Sequence, residues 1–249
     1  MLNMTFMHTS TRDGLETVYK NKFKKVIDFT GVSGIHTMCN MENIETMAKM
    51  TEHKPNQMFY LGNGNYHYLT LMLTQNISDP YTLIVFDNHN DAGIVPFEKV
   101  TTCGSWIDDA LHRQDNLKQV LIIGVQNKDE KTININHSSR LSVIRKKAMN
   151  KQTIKAHIAD IPTKNVYISI DRDILSPREV ETNWNQGTMT TDQLTMLIAD
   201  ILRDHTLIEG DICGDIVWTY KNVSKDYAHR TADQSIENLK RIDMTFNNT

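Results

Sequence analysis

Apolar residues along this chain fall into short runs of two alternating kinds. Runs rich in β-branched and aromatic residues predict strands over Lys25–Phe29, Met58–Leu61, Thr82–Phe86, Gln119–Gly124, Val166–Ile170 and Leu207–Cys213. Several lack inside–outside alternation, as expected of strands covered on both faces. Between them, a helical period predicts helices over Glu42–Glu52, Tyr66–Thr74, Ser105–Gln114, Arg140–Met149, Asp192–Asp204 and Ala232–Ile242. The Asp192 helix is the most legible. Thr190 with Gln193 three residues later reads as a capping box, and Leu194, Leu197, Ile198, Ile201 and Leu202 form one apolar stripe. The polar stretch Asn127–Ser139 reads as a surface loop. Strands alternating with helices predict a parallel sheet between helical layers, and no repeat or linker divides residues 1–249, so one α/β domain is expected.

Composition narrows the function. The chain has 39% hydrophobic and 23% charged residues, an ordinary globular balance rather than a disordered one. Net charge is -3 with no basic block, so nucleic acid is not an expected partner. No apolar run has the length of a membrane span, and the N-terminal stretch lacks a signal-peptide core, so no membrane partner is expected. Cys39, Cys103 and Cys213 are scattered without C-x-x-C spacing, which argues against a disulfide framework or a thiolate zinc site and makes a reducing cytoplasm the expected location.

Chemistry collects at the strand ends, where ligands of open α/β sheets bind. "LIVFDNHNDAG" runs apolar through Phe86 and then places Asp87, His89 and Asp91 at alternate positions. Residues two apart on an extended chain share a face, so these groups crowd at the end of a core strand. "VYISIDRDILSP" repeats the pattern with Asp171 and Asp173, and "FYLGNGNYHYLTLMLT" offers His67 after a glycine turn. Buried carboxylates and imidazoles in such density need a compensating charge, and a cation is the simplest. Four carboxylates and two imidazoles make a hard donor set that favours Mn²⁺ over thiolate-bound zinc, with Mg²⁺, Fe²⁺ and Co²⁺ as alternatives. Six donors are too many for one zinc and suit two metals sharing carboxylates.

In the order of these three motifs, from about Phe59 to Cys213, the sequence resembles the ureohydrolases: arginase, agmatinase and formiminoglutamase. The resemblance implies a three-layer α/β/α sandwich with a mostly parallel central sheet and two Mn²⁺ per chain (Fe²⁺, Co²⁺ or Zn²⁺ as substitutes). It implies that Asp87 and Asp171 bridge both ions, that His67 and Asp91 complete one site, and that His89 and Asp173 complete the other. Asp91 is then also the residue that aims the attacking hydroxide. The implied reaction is hydrolysis of a guanidino or amidino carbon–nitrogen bond, and the implied assembly is a homo-oligomer.

The sequence departs from the family pattern at substrate-handling positions. Cys103, in "TTCGSWIDDAL", stands where a proton-shuttling histidine is common. "GDICGDIVW" carries Asp211 but has Gly214 at the position of a guanidinium-pairing glutamate, with Asp215 adjacent. Cys103 and Asp215 are therefore candidate catalytic residues beside Asp91, and Asp211, Asp215, Asn183 and Trp106 are candidate substrate contacts. Trp184 is a further candidate for the site mouth. The loop "AGIVPFEKV" lacks a polar pattern for clamping a free amino acid, so the substrate is expected to be a small guanidino compound or an arginine-containing peptide. Two other functions compete: a non-catalytic metal-binding regulatory protein, and a mononuclear zinc deacetylase. The deacetylase lacks counterparts of His67 and Asp173 and uses an adjacent His-His pair, which this chain does not have.

Overall fold

The computed structural model describes residues 1–10, 20–95, 97–126, 139–217 and 223–247. Its centre is a sheet of β1 Leu2–His8, β2 Phe23–Asp28, β4 Gln57–Tyr60, β5 Tyr81–Phe86, β7 Leu117–Val125, β8 Leu141–Arg145, β9 Asn165–Asp171 and β10 Thr206–Cys213. The strand order is β2-β1-β4-β10-β9-β5-β7-β8, with every pairing parallel. Two short strands, β3 Met38–Asn40 and β6 Val100–Thr102, pair antiparallel apart from it.

The missing alternation in the strands has its cause in two cores. Along β5, Leu83 and Val85 enter one core while Ile84 and Phe86 enter the other. Helices α1 Met41–Lys49, α2 Leu69–Thr74 and α3 Trp106–Arg113 close the first core through residues such as Ile44, Met47, Met72 and Ile107. Helices α4 Lys151–Ala159, α5 Thr191–Asp204 and α6 Lys225–Asn247 close the second through Ile154, Leu194, Ile198 and Ile242. The result is the expected three-layer sandwich. Each large apolar side chain fully buried in these cores contributes about 1.5–3 kcal/mol, which offsets the cost of a polar site at the sheet's rim.

Local pattern and structure differ in places. The helix expected over Arg140–Met149 is instead edge strand β8 followed by a 3-10 turn, Lys146–Ala148. Leu141 and Ile144 are three apart, as on a helix face, but pairing with the exposed flank of β7 decides the outcome. β1 and α4 were not expected. Asn150 caps α4 by accepting from the Thr153 amide at 3.0 Å. The helix expected from Tyr66 starts as a 3-10 turn, Gly64–Tyr66, and becomes α-helical only at Leu69. The expected loop Asn127–Ser139 lies outside the described residues except for Ser139. Among the described residues no helix is long and apolar enough to cross a membrane.

Topology sets up the site. β5 and β9 are neighbours with Phe86 opposite Ile170, so Asp87 and Asp171 leave the sheet side by side. β10 lies on the far side of β9, then β4, whose exit leads to His67.

Candidate metal centre

The chain leaves β4 through Gly62 at φ 81, and Asn63 caps the following turn by accepting from the Asn65 amide at 2.9 Å. This delivers His67, fully buried, to the rim. Its Nδ1 lies 2.9 Å from Asp91 Oδ2, 3.2 Å from Asp87 Oδ2 and 3.8 Å from Asp171 Oδ2. His89 Nδ1 lies 2.7 Å from Asp173 Oδ2 and 3.5 Å from Asp87 Oδ1. Among the described residues three donor groups result, His67–Asp87–Asp91, Asp87–His89–Asp173 and His67–Asp171–Cys213, and Asp87 belongs to the first two. Asp91 reaches its place in a left-handed conformation, φ 44, which a non-glycine residue holds only where its surroundings enforce it. A cavity of about 200 Å³ opens above these groups, walled otherwise by Gly64, Asn90, Cys103, Gly104 and Trp184.

Backbone amides fix one oxygen of most of these carboxylates. The His89 amide donates to Asp87 Oδ1 at 2.7 Å, the Asn88 amide to Asp173 Oδ1 at 3.0 Å, and the Asp173 amide to Asp171 Oδ1 at 2.9 Å. The other atoms are left over. Among the described residues, His67 Nδ1, Asp87 Oδ2 and Asp173 Oδ2 are buried with nothing but other donors of the cluster within reach, Asp91 and Asp87 for His67 and His89 for Asp173. Such atoms cost about 1–3 kcal/mol each, more when charged, unless something else satisfies them. Donors about 3 Å apart are what an octahedral shell of about 2.1 Å radius requires. The residues therefore fit divalent cations in oxygen-rich coordination.

Without cations the imidazoles carry the balancing charge. Burial alone would push His89 down, but hydrogen bonds and charge from Asp173 and Asp87 outweigh it and carry the ring up to about 12. His67 is likewise raised well above its ordinary value, against burial, by Asp87 and Asp91. Burial raises Asp87, yet the two imidazoles hold it below the usual carboxylate range. Burial and the Asp87 charge push Asp91 up to about 6, and burial plus neighbouring carboxylates raise Asp171 and Asp173. Without a cation the surrounding carboxylates thus favour the protonated form of both rings, which must lose a proton to bind metal. Loading Mn²⁺ at pH 7 is expected to release protons and to weaken as pH falls. Calorimetry in buffers of different ionisation enthalpy measures this, and a pH-independent affinity would contradict it.

A family model for the arginase family matches residues 7–214. The chain belongs to the arginase family. Enzymes of this family hydrolyse carbon–nitrogen bonds in linear amidines. The chain is 33% identical over 157 residues to an uncharacterized protein of Thermotoga maritima, a stretch covering 63% of this chain and 57% of that one. Its fold is similar to that of proclavaminate amidino hydrolase from Streptomyces clavuligerus, with TM-score 0.65, 9% identity, and coverage of 99% of this chain and 92% of the other. Formimidoylglutamase from Bacillus subtilis gives TM-score 0.64, 13% identity and coverage of 97% and 86%. Arginase from Bacillus subtilis gives 0.62, 13%, 96% and 98%.

Against the arginase-family pattern, the residues expected to handle substrate are mostly occupied elsewhere. Asp211 is fully buried behind His67 and does not line the cavity. Its Oδ1 accepts from Ser169 Oγ at 2.8 Å and its Oδ2 from the Tyr167 hydroxyl at 2.7 Å, while Ser169 Oγ lies 2.9 Å from His67 Nε2. Since Ser169 gives its proton to Asp211, it accepts from His67 Nε2–H, so Nδ1 is the nitrogen that would give up its proton and turn a lone pair to a cation beside Asp87 and Asp91. Asp211 is therefore corrected from substrate contact to orienter of His67. Ser169→Ala is expected to weaken the cation nearest His67 by about 10–100-fold, the usual effect of losing such a partner. A metal titration measures it.

Asp215 is also removed from the cavity: its carboxylate pairs with buried Arg172 and accepts from Ser235 Oγ at 2.7 Å. At Gly214, φ 94, a Cβ would stand 2.4 Å from Asp171 Oδ1 and 2.7 Å from the Arg172 amide, so no side chain can project there without displacing a site carboxylate. Asn183 is exposed, and its side chain exchanges hydrogen bonds with the Val217 backbone rather than facing the cavity. Trp106 is fully buried, its Nε1–H donating to Asp91 Oδ2 at 3.0 Å, so it holds Asp91 and cannot reach substrate. Cys103 does line the cavity, but burial, then the Asp91 charge, pushes its thiol up to about 12, which makes it a poor proton carrier at neutral pH. Cys213, discounted by its isolation in sequence, lies with His67 and Asp171, its thiol raised well above its ordinary value by burial. Ser169 had a signal in sequence. It sits two residues before Asp171 on an apolar strand, hence on the same face.

Proposed function

We propose that this arginase-family chain is a binuclear manganese hydrolase acting on a guanidino carbon–nitrogen bond. His67, Asp87, His89, Asp91, Asp171 and Asp173 would hold the two ions, with Asp87 and Asp171 shared. The observation that carries this reading is the carboxylate of Asp87, common to two His–Asp groups whose remaining atoms, among the described residues, face only one another. When bound, the cations would supply a water acidified toward neutral pH and the Lewis acidity to polarise a planar carbon.

The chain's own residues supply aim and proton handling. Asp91, anchored by the Trp106 indole, is placed to accept a hydrogen bond from the attacking water and take up its proton. The departing amine needs a proton, and Asp91 is the carboxylate that can return it. Trp106, His67 and the strand ends keep the floor of the cavity dry.

The substrate we propose is an arginine side chain on a larger molecule, such as a peptide. Gly93 donates to the Gly104 carbonyl at 2.9 Å, and beyond Gly93 lies a separate groove of about 390 Å³ that bears exposed Ile94 and Phe97 beside charged Glu98, Asp108, Asp109 and Arg113. A mixed apolar and charged surface next to the site suits a substrate with groups beyond the guanidinium. Cys39, Cys103 and Cys213 are all unpaired, which suits a reducing cytoplasm.

The test is elemental analysis of the purified protein together with urea release from free arginine, agmatine and arginine-containing peptides. About two Mn²⁺ per chain and turnover of peptides are expected. Turnover of free arginine alone would end the peptide reading, and no turnover by fully loaded protein would favour a binding role.

A further inference from the structure

Four carboxylates and two divalent cations sum to zero charge before any hydroxide is counted, so the protein's own ligands bring no surplus negative charge to a guanidinium. Among the described residues, the acids the sequence offered for this are spent: Asp211 lies behind His67, Asp215 is paired with Arg172, and residue 214 has no side chain. Apart from the ligands, the cavity side chains are those of Asn90, Cys103 and Trp184. Asn90 Oδ1 already accepts from the Ala92 amide at 3.1 Å. Cys103 carries no charge to offer as a thiol.

Trp184 is different. Its indole meets the His89 ring edge-on, with centroids 5.8 Å apart and planes at 70°. A Cβ on Gly64 would stand 3.0 Å from its Cδ1 and 2.8 Å from Asp171 Oδ2, so the indole hangs directly beside the donor cluster and only glycine beneath it leaves the gap open. The segment carrying it is pinned from several sides. Asn88 Nδ2 donates to the Asn185 carbonyl at 2.6 Å, Thr182 Oγ1 to the Trp184 carbonyl at 3.2 Å, and Gln186 Nε2 to the Val180 carbonyl at 2.9 Å. Yet the residue remains 39% exposed, a large aromatic left in contact with solvent on a fixed support.

We infer that Trp184 is the substrate-binding wall that receives the guanidinium in place of a carboxylate, through attraction of the cation to the indole π system. This rests on the guanidino reading above. A ring quadrupole attracts a planar cation without adding charge to the metal centre. Compared with a carboxylate, it discriminates charge rather than hydrogen-bond geometry, and so it tolerates varied groups beyond the guanidinium.

The experiment compares Nα-acetyl-arginine amide with its neutral counterpart Nα-acetyl-citrulline amide, by calorimetry on manganese-loaded protein of measured metal content. Wild type is expected to prefer the cationic ligand by about fivefold or more, the lower range of such contacts. Trp184→Phe should keep most of that preference. Trp184→Leu, which keeps apolar bulk, should lose it while citrulline-ligand binding and metal content stay unchanged, and KM should rise with kcat preserved. Equal weakening of both ligands in Trp184→Leu, or no change, would overturn the inference and leave the guanidino reading standing. Wild type binding neither ligand with two metals in place would overturn both.

Discussion

Asp87→Ala is expected to lose both cations at once and to reduce hydrolysis by about 10⁴-fold or more, the scale seen when one member of an interdependent catalytic set is removed. Asp87 is the one carboxylate within reach of both imidazoles, at 3.2 Å from His67 Nδ1 and 3.5 Å from His89 Nδ1. Its loss strips one ligand from both sites at once and leaves Asp171 as the sole shared carboxylate of the proposed pair. In the metal-free protein the consequence is mild, because His67 keeps Asp91 and His89 keeps Asp173 as partners. The signature is therefore a difference. Wild type should gain stability on adding Mn²⁺, by about 2.7 kcal/mol at a hundredfold excess over Kd, whereas the variant should gain none. Asp173→Ala should behave otherwise and give up mainly the ion at His89. Retention of one tightly held ion by Asp87→Ala would contradict a shared ligand.

Arg172→Leu should be the most destabilising single change, by about 3–5 kcal/mol, as for other buried pairs broken on one side. Arg172, between Asp171 and Asp173 in the chain, is fully buried and does not line the cavity. Its Nε donates to the Cys213 carbonyl at 3.3 Å, Nη1 to Ser235 Oγ at 2.9 Å, and Nη2 to the Tyr60 hydroxyl at 3.4 Å and to Asp215. One side chain thus ties the ends of β9, β10 and β4 to α6. Leucine would leave the Asp215 carboxylate in the interior without its cation. Arg172→Leu with Asp215→Leu should recover much of the loss, because replacing both partners removes the stranded charge. Urea midpoints at constant slope measure this. A single variant within about 1 kcal/mol of wild type would show that the pair is not what holds these strand ends together.

Legibility in the sequence followed the range of the interactions. Runs such as Thr82–Phe86 and Val166–Ile170 announced buried strands because burial on both faces leaves a purely local trace, an apolar stretch without alternation. Thr190 and Gln193 marked the start of α5 because a capping box is made within four residues. Asp87, His89, Asp91, Asp171 and Asp173 stood out by their density at strand ends, but the shared face expected of an extended chain did not form, because Asp91 is left-handed and Asp173 lies in the 3-10 turn Arg172–Ile174. Edge strand β8 was not legible: Leu141 and Ile144 suit either period, and only the flank of β7 chose between them.

The local order of residues decided which strands exist and where charge gathers at their ends. Only the folded arrangement decided how those donors divide, because the adjacency of β5 and β9 and the angle at which His67 enters depend on contacts between residues far apart in the chain. It also decided the fate of Asp211, Asp215, Asn183 and Trp106, polar groups that looked available for substrate. Each is claimed by a partner from another element, and a one-dimensional pattern carries no record of such pairings.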